Sequence, residues 1–273
     1  TIEADMAHEG QAFLSRLVRL ENERLKQFDI TTAEHATRVR DRLLNAAGGK
    51  LKVDRVTRSQ RKRRPAPPFI TSTLQQDAAR KLRFTAQKTM RTAQHLYEAG
   101  FITYMRTDSV HLSNDALADI RGKITEKYGA EYVPEKPNFY KTKQKNAQEA
   151  HEAIRPTEMS RQSIDGDRDQ MRLYDLIWKR TIASQMSDAQ LERTNVKIGI
   201  HSSTPVSEQF AANGEMIKFD GFLKVYLEGK DNDDDEQAGM LPRLSLNENL
   251  ENNNIRATER YTKPPYRYTE ASL

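Results

Sequence analysis

Residues 50–68 read KLKVDRVTRSQRKRRPAPP, and the chain changes character within them. Leu51 and Val53 alternate with Lys50, Lys52 and Asp54, which predicts a β-strand. The second half reads as a basic linker, because residues 50–64 carry eight Lys or Arg against one Asp. Prolines at 65, 67 and 68 then remove backbone donors and fix φ, which marks a domain boundary.

Downstream of the prolines, from Ile70 to about Met186, the hydrophobic period is helical. Thr73, with Gln76 three residues on, has capping-box spacing for one helix. Thr85 caps the next, with the stripe Ala86, Met90, Ala93 and Tyr97 and a stop at Gly100. Ser113 caps a third, with Leu117, Ile120, Ile124 and Tyr128 on one face and Gly129 after it. MRLYDLIWKRTIASQM, from 171, gives a fourth, with Met171, Tyr174, Trp178 and Ile182 on one face.

The flanks differ. Upstream, TTAEHATRVRDRLLNAA at 31–47 reads as a helix capped by Thr31 and stopped by Gly48-Gly49, while QAFLSRLVRL at 11–20 fits helix or strand. From 191 the period becomes two: NVKIGI alternates Val196, Ile198 and Ile200. QFAANGEMIKF holds Asn213-Gly214 between two strand-like runs, which predicts a hairpin. NNNIRATERYTKPPYRYTEASL reads as a strand followed by a Pro-Pro turn. The fold class is therefore α+β, a discontinuous β-rich domain interrupted by a mainly helical one. Its parts are 1–64, 65–190, 191–262 and a short last piece, 263–273.

Composition narrows the partners. The 273 residues are 30% charged and 36% hydrophobic, with mean hydropathy −0.84, net charge +5 and a pI near 9.2. That balance favours polyanions over acidic partners. Basic residues also cluster locally, with five and no acid between 78 and 97. The absence of cysteine excludes disulfides and thiolate metal sites and fits a reducing compartment. No run of 18 apolar residues occurs, so no membrane helix is expected. The sequence opens TIEADMAHEG, without Met or signal pattern, which suggests a piece of a longer protein.

Three constellations could carry chemistry. In AGFITYMRTDSVHLS, 99–113, Tyr104 and Arg106 share a face if the segment is extended. A phenol is a weak nucleophile at neutral pH, but it can attack an electrophile whose charge is neutralised. A guanidinium neutralises a phosphoryl group well, because its fork spans two oxygens. On spacing alone the ordinary reading is Tyr104 as a core residue and Arg106 as a surface charge, since Tyr-x-Arg is common. In NAQEAHEAIRPT, 146–157, His151 and Arg155 share a face on a helical turn, suited to a phosphodiester or to a helix C-terminus. In KPPYRYTEASL, Arg267 and Thr269 alternate with Tyr266 and Tyr268, so cation and hydroxyl could hold a phosphate while the aromatics stack or simply pack.

Metal signals are weak. The six His include no His-x-x-x-His pair, and DNDDDE at 231–236 lacks the glycine and final glutamate of an EF-hand loop. Walker, dinucleotide and Gly-x-Ser-x-Gly motifs are all missing. Nucleotide-driven chemistry and a metal-dependent nuclease are both disfavoured.

PFITSTLQQDAARKL, LYEAGFITYMRTDSVHLS, QEAHEAIRPTEMS and KPPYRYTEASL occur in the order and spacing of bacterial DNA topoisomerase I, the type IA family, and the chain resembles that family over nearly its whole length. The resemblance implies a ring-shaped enzyme in which the β-rich parts form an arch and the helical part carries the nucleophile. Tyr104 matches the tyrosine that cleaves one strand and retains the 5′-phosphate. Arg106 matches the arginine on the scissile phosphate, and His151 the histidine of the HEAIRP block near it. Arg155 lies in that block as a DNA-binding candidate. Arg267 and Thr269 match a segment lining the single-strand groove, and 263–273 would begin that groove domain. Thr71, Ser72 and Thr73 are assigned to helix start and packing first.

The implied reaction relaxes negatively supercoiled DNA by cleavage, strand passage and religation without ATP. The implied partners are single-stranded and negatively supercoiled DNA and the rest of the same polypeptide, with a monomeric, cytoplasmic, nucleoid-associated enzyme. The family's Asp-x-Asp-x-Asp cluster belongs to an N-terminal domain; no such run precedes Tyr104 here and DNDDDE at 231–236 lies in the wrong place. The Mg²⁺ of the whole enzyme would therefore bind a domain outside this chain, and no metal ligand is expected here. The chain alone is expected to be inactive. The alternative is a non-catalytic nucleic-acid-binding or hinge module.

Overall fold

In the computed structural model, the described residues are 1–141, 151–201, 207–227, 241–265, 267–268 and 270–271. The expected acidic loop at 231–236 and Thr269 lie outside them. The chain divides into two compact units. One comprises Thr1–Arg61, Leu191–Lys218 and Asn232–Pro264, and the other Lys62–Gln190, Phe219–Asp231 and Pro265–Leu273.

The first unit is built on antiparallel strands β1 (Ile2–His8), β2 (Gln11–Leu20), β3 (Glu23–Arg24), β4 (Lys50–Arg63), β5 (Ala189–Gly199), β6 (Gln209–Phe219) and β7 (Asn249–Ala257). Their order is β1-β7-β4-β5-β6-β2-β3, and β1 also pairs with β2. Six strands therefore close into a ring, with β3 appended to β2. Even-numbered residues of β1 (Ile2, Ala4 and Met6) point into a core shared with Val53, Val196, Ile198, Phe210 and Ile255. Helix α1 (Ala33–Ala47) adds Val39 and Leu43 to that core. Burying each such side chain is worth about 1.5–3 kcal/mol.

The turns depart from the sequence reading. QAFLSRLVRL resolves as a strand because His8 pairs with Gln11 across Glu9-Gly10, both at positive φ, the geometry of a type I′ hairpin. Glu21-Asn22 repeats this between β2 and β3, where Leu20 faces Glu23. The hairpin expected at Asn213-Gly214 does not form, and both residues lie inside β6. A Cβ on Gly214 would come within 2.8 Å of Leu241 Cγ, so this glycine serves a close approach instead of a turn. The basic run of 58–63 is also strand, not linker. Residues 57–62 are exposed throughout, so no alternating pattern was there to announce it. The cap of α1 is Thr32, which accepts from His35 N, in place of Thr31.

The second unit holds helices α2 (Thr71–Asp77), continued by a π-helical turn Ala78–Leu82, α3 (Ala86–Glu98), α4 (Asn114–Tyr128) and α5 (Arg168–Ser184). Thr85 and Ser113 cap α3 and α4 as expected. Asp167, with Gln170, forms the capping box of α5, and Met171 on its first turn is exposed. Helix α2 starts at Thr71, earlier than a Thr73 cap implies. Thr73 instead sits on the first turn, where its hydroxyl accepts from Ile70 N.

The core gathers Phe69, Leu74, Ile102, Met105, Ile120, Ile154 and the buried face of α5. Two α5 side chains tie down the segment after the HEAIRP block: Tyr174 donates to Arg161 O at 2.6 Å, and Trp178 to Met159 O at 3.1 Å. Burial pushes the Tyr174 hydroxyl up to about 12, which keeps it a donor. Phe222 and Tyr226 are buried in the same core, which is why Phe219–Asp231 belongs with the helices.

Candidate active site around Tyr104

The segment Ile102–Ser109 has no regular strand, yet its exposure alternates. Ile102, Met105, Thr107 and Ser109 are buried, while Tyr104 and Arg106 are exposed. Met105 enters the core, and this turns its two neighbours outward together. Tyr104 is therefore not a core residue. Its ring, 43% exposed, meets Tyr97 of α3 edge-on with centroids 5.2 Å apart. Among the described residues no hydrogen bond or ion pair engages the Tyr104 hydroxyl or the Arg106 guanidinium.

Two threonines fix the backbone on either side. Thr103 Oγ1 donates to Ala153 O at 2.7 Å and accepts from Arg155 N at 2.9 Å, while Thr103 N donates to Arg155 O. Thr71 Oγ1 donates to Met105 O at 2.9 Å and accepts from Thr107 N at 2.9 Å. The nucleophile candidate is thus held by the HEAIRP segment before it and the start of α2 after it. Thr103→Val should destabilise the chain by about 1–3 kcal/mol, because it strands the Arg155 amide without an acceptor. Thr103→Ser should restore the loss, and denaturant midpoints of the two variants check both statements.

The HEAIRP segment is not a helical turn. Ile154 bridges Phe69 and Pro156 bridges Ile102 as antiparallel pairs, so residues 151–156 are extended. His151 and Arg155 therefore do not share a helical face. His151 instead joins Thr103, Tyr104, Thr107 and Glu152 around one open pocket of about 330 Å³.

Arg155 is committed elsewhere. It donates to Glu152 Oε2 at 2.7 Å and to Pro156 O at 2.9 Å. Arg267 is exposed and is not among the residues lining the pocket.

Thr103, Thr107 and Glu152 escaped the sequence reading as pocket residues. Only their nearness to Tyr104 and His151 in the motifs could have flagged them. For Glu152, burial opposes ionisation, but hydrogen bonding at Ser113 and the Arg155 guanidinium outweigh it and hold the carboxyl below its ordinary value. A depressed folded-state value means that Glu152 adds stability above its unfolded-state value, and that this is lost as pH falls through the folded value. The stability gap between wild type and Glu152→Gln should therefore be widest near neutrality and shrink in acid, as thermal unfolding across that range would record.

A family model described as DNA topoisomerase matches residues 1–273. DNA topoisomerase 1 of Xylella fastidiosa strain Temecula1 is 46% identical over 289 residues, covering 100% of this chain and 35% of that protein. DNA topoisomerase 1 of Rickettsia bellii is 44% identical, covering 97% of this chain and 34% of that protein. The chain thus spans about a third of these relatives. The structure of full-length topoisomerase I from Thermotoga maritima superposes with TM-score 0.74 at 31% identity, covering 99% of this chain and 42% of that one. Matched along its entire length by the family model, the chain belongs to the DNA topoisomerase family.

Proposed function

We propose that this chain supplies the nucleophile and the arch of a type IA DNA topoisomerase that relaxes negatively supercoiled DNA. The observation that carries the reading is the outward pairing of Tyr104 and Arg106, with His151 on the Tyr104 pocket and threonine clamps on both sides. In the proposed step, Tyr104 Oη attacks the phosphorus of a backbone phosphodiester. The bond to the 3′ oxygen breaks, the phenol gives up its proton, and the leaving oxygen takes one up. The products are a 5′-phosphotyrosine and a free 3′-hydroxyl. Arg106 neutralises the non-bridging oxygens as charge builds on them. His151, which lines the same pocket, would donate to the phosphate or carry a proton there.

Religation reverses the step. The 3′-hydroxyl attacks the phosphotyrosine, and because the covalent bond conserves the energy of the broken diester, no nucleotide is consumed.

The Mg²⁺ implied by the resemblance is given no ligand in this chain. The Tyr104 pocket offers a single carboxylate, Glu152, already engaged by Ser113 and Arg155. Among the described residues no group of three or more His, Asp or Glu converges to hold a metal. The acidic cluster that would bind the ion is assigned to the longer polypeptide. Without that part, the chain alone should be inactive.

The test incubates the chain with an end-labelled single-stranded oligonucleotide, with and without an added segment carrying the acidic cluster, and then denatures it. A protein–DNA band that needs the added segment, with the label mapped to the Tyr104 peptide, supports the reading. Absence of any band with a competent segment overturns it, and leaves a nucleic-acid-binding or hinge module.

A further inference from the structure

The outer face of the strand ring carries an arrangement that the Tyr104 chemistry does not use. Glu3 on β1 lies directly opposite Arg16 on β2 and opposite Arg256 on β7. Its neighbours Ile2 and Ala4 point inward to the core, so Glu3 points outward, yet its side chain is only 2% exposed. Guanidiniums cover it. Arg16 Nε lies 3.3 Å from Oε1, Arg260 Nη2 2.7 Å from the same oxygen, and Arg256 Nε 3.6 Å from Oε2. Thr258 Oγ1 donates to Oε2 at 3.4 Å, and Arg256 Nη1 also reaches Asp5 at 3.0 Å.

Three cations thus converge on one covered carboxylate, with Asp5 beside it. Each guanidinium has five donors in a planar fork, and the contacts of Arg256 and Arg260 to these two carboxylates use only part of theirs. Each arginine side chain also remains 44–47% exposed, whereas the acid they share is covered. Ordering three long cationic side chains carries an entropy cost, and Glu3 has met it before any ligand arrives. Arginine forks match phosphate oxygens two at a time. The next residue along the chain, Tyr261, is 80% exposed, and its hydroxyl is occupied by Glu259 at 2.6 Å. That leaves an aromatic face available for stacking beside the cations, the pairing that single-stranded nucleic acid uses.

We propose that Arg16, Arg256 and Arg260, preorganised by Glu3, form a phosphodiester-binding site for single-stranded DNA in the β unit, with Tyr261 as its stacking platform. The proposal rests on the reading of the chain as a DNA-handling protein, but on none of the Tyr104 chemistry.

The test titrates a fluorescein-labelled oligo-dT into the full chain by anisotropy, between about 50 and 200 mM salt. The variants are Arg16→Gln, Arg260→Gln and Tyr261→Ala, with Lys179→Gln, an exposed lysine of α5, as the control. Each arginine variant should weaken binding several-fold at low salt and reduce the log–log salt slope by about 0.7 for each phosphate that is no longer neutralised. Tyr261→Ala should weaken binding by about fivefold or more and leave the slope unchanged. Lys179→Gln should change neither.

A cluster that serves only as cross-strand ion pairing would behave differently. Its arginine variants would lower the melting temperature while leaving affinity and slope as in wild type, and that overturns the proposal. Wild-type chain that fails to bind oligo-dT also overturns it, yet leaves the covalent test of Tyr104 standing. A missing covalent band with an intact salt slope does the reverse.

Discussion

Tyr104→Phe is expected to abolish covalent attachment to DNA and to leave the fold unchanged. Both halves follow from the local geometry. The hydroxyl makes no hydrogen bond among the described residues, and the edge-on contact with Tyr97 involves the ring, which phenylalanine retains. Stability should therefore stay within about 0.5 kcal/mol of wild type. Attachment should fall to background, because no neighbouring pocket residue can replace the phenol. Thr103 and Thr107 hydroxyls are spent on backbone positions. Arg106→Gln should be graded where Tyr104→Phe is absolute. Removing one charge-stabilising donor should slow cleavage by about 10²–10³-fold, with adduct still detectable after long incubation. Single-turnover cleavage with the acidic segment added measures both. An adduct that persists in Tyr104→Phe would assign the nucleophile elsewhere.

The largest loss of stability should come from Asp77→Ala. Asp77 and Arg180 have side chains 10% and 8% exposed, with Arg180 Nη1 3.6 Å from Asp77 Oδ2. The Tyr226 hydroxyl donates to the same carboxylate oxygen. Burial first, and the Asp77 charge second, push that hydroxyl well above its ordinary value, so it remains a donor at every working pH. Arg180 also donates to Pro67 O at 2.7 Å and lies over the rings of Phe69 and Tyr226.

Alanine at 77 would take the carboxylate away from a buried guanidinium and leave a buried phenol without its acceptor. The cost of breaking such a pair is about 3–5 kcal/mol. Trp178 is the sole tryptophan of the chain and is buried in the same core, so its fluorescence reports this unit during denaturant unfolding. Asp77→Asn should lose less, because it keeps an acceptor for Tyr226. A loss below about 1 kcal/mol for Asp77→Ala would show that the carboxylate is dispensable to the network.

The α+β class and the helices of the second unit were legible in the sequence, because Thr85, Ser113 and their apolar stripes are local signals. Tyr104 and Arg106 were legible as a pair for the same reason: their spacing of two survives in an extended backbone. What the sequence hid lay in long-range partners. Thr103 meets Ala153 and Arg155 fifty or so positions away, and Thr71 meets Met105 and Thr107, distances that no periodicity encodes. His151 and Arg155 misled because a separation of four suggests a helix, whereas bridges to Phe69 and Ile102 set an extended path. Asn213-Gly214 misled in the opposite sense. The turns formed at Glu9-Gly10 and Glu21-Asn22, where the strand register demanded positive φ from two glutamates, which rarely adopt it, beside a glycine and an asparagine, which do so more readily. The Glu3 cluster depends wholly on that register, since its members are scattered from residue 3 to residue 260.

The closed strand ring also bears on how the chain behaves in a crowded solution. A ring leaves no open row of amides and carbonyls for a foreign strand to join, and only its appendages keep one. β3 is two residues long, Glu23 and Arg24. The outer half of β4 lies beyond the pairing with β7, which is confined to Lys50–Lys52, and it carries the exposed residues Arg58, Arg61 and Lys62. Charge at those edges repels an incoming copy, so the cations of the segment that divides the sequence also act as gatekeepers against self-association into β-fibres.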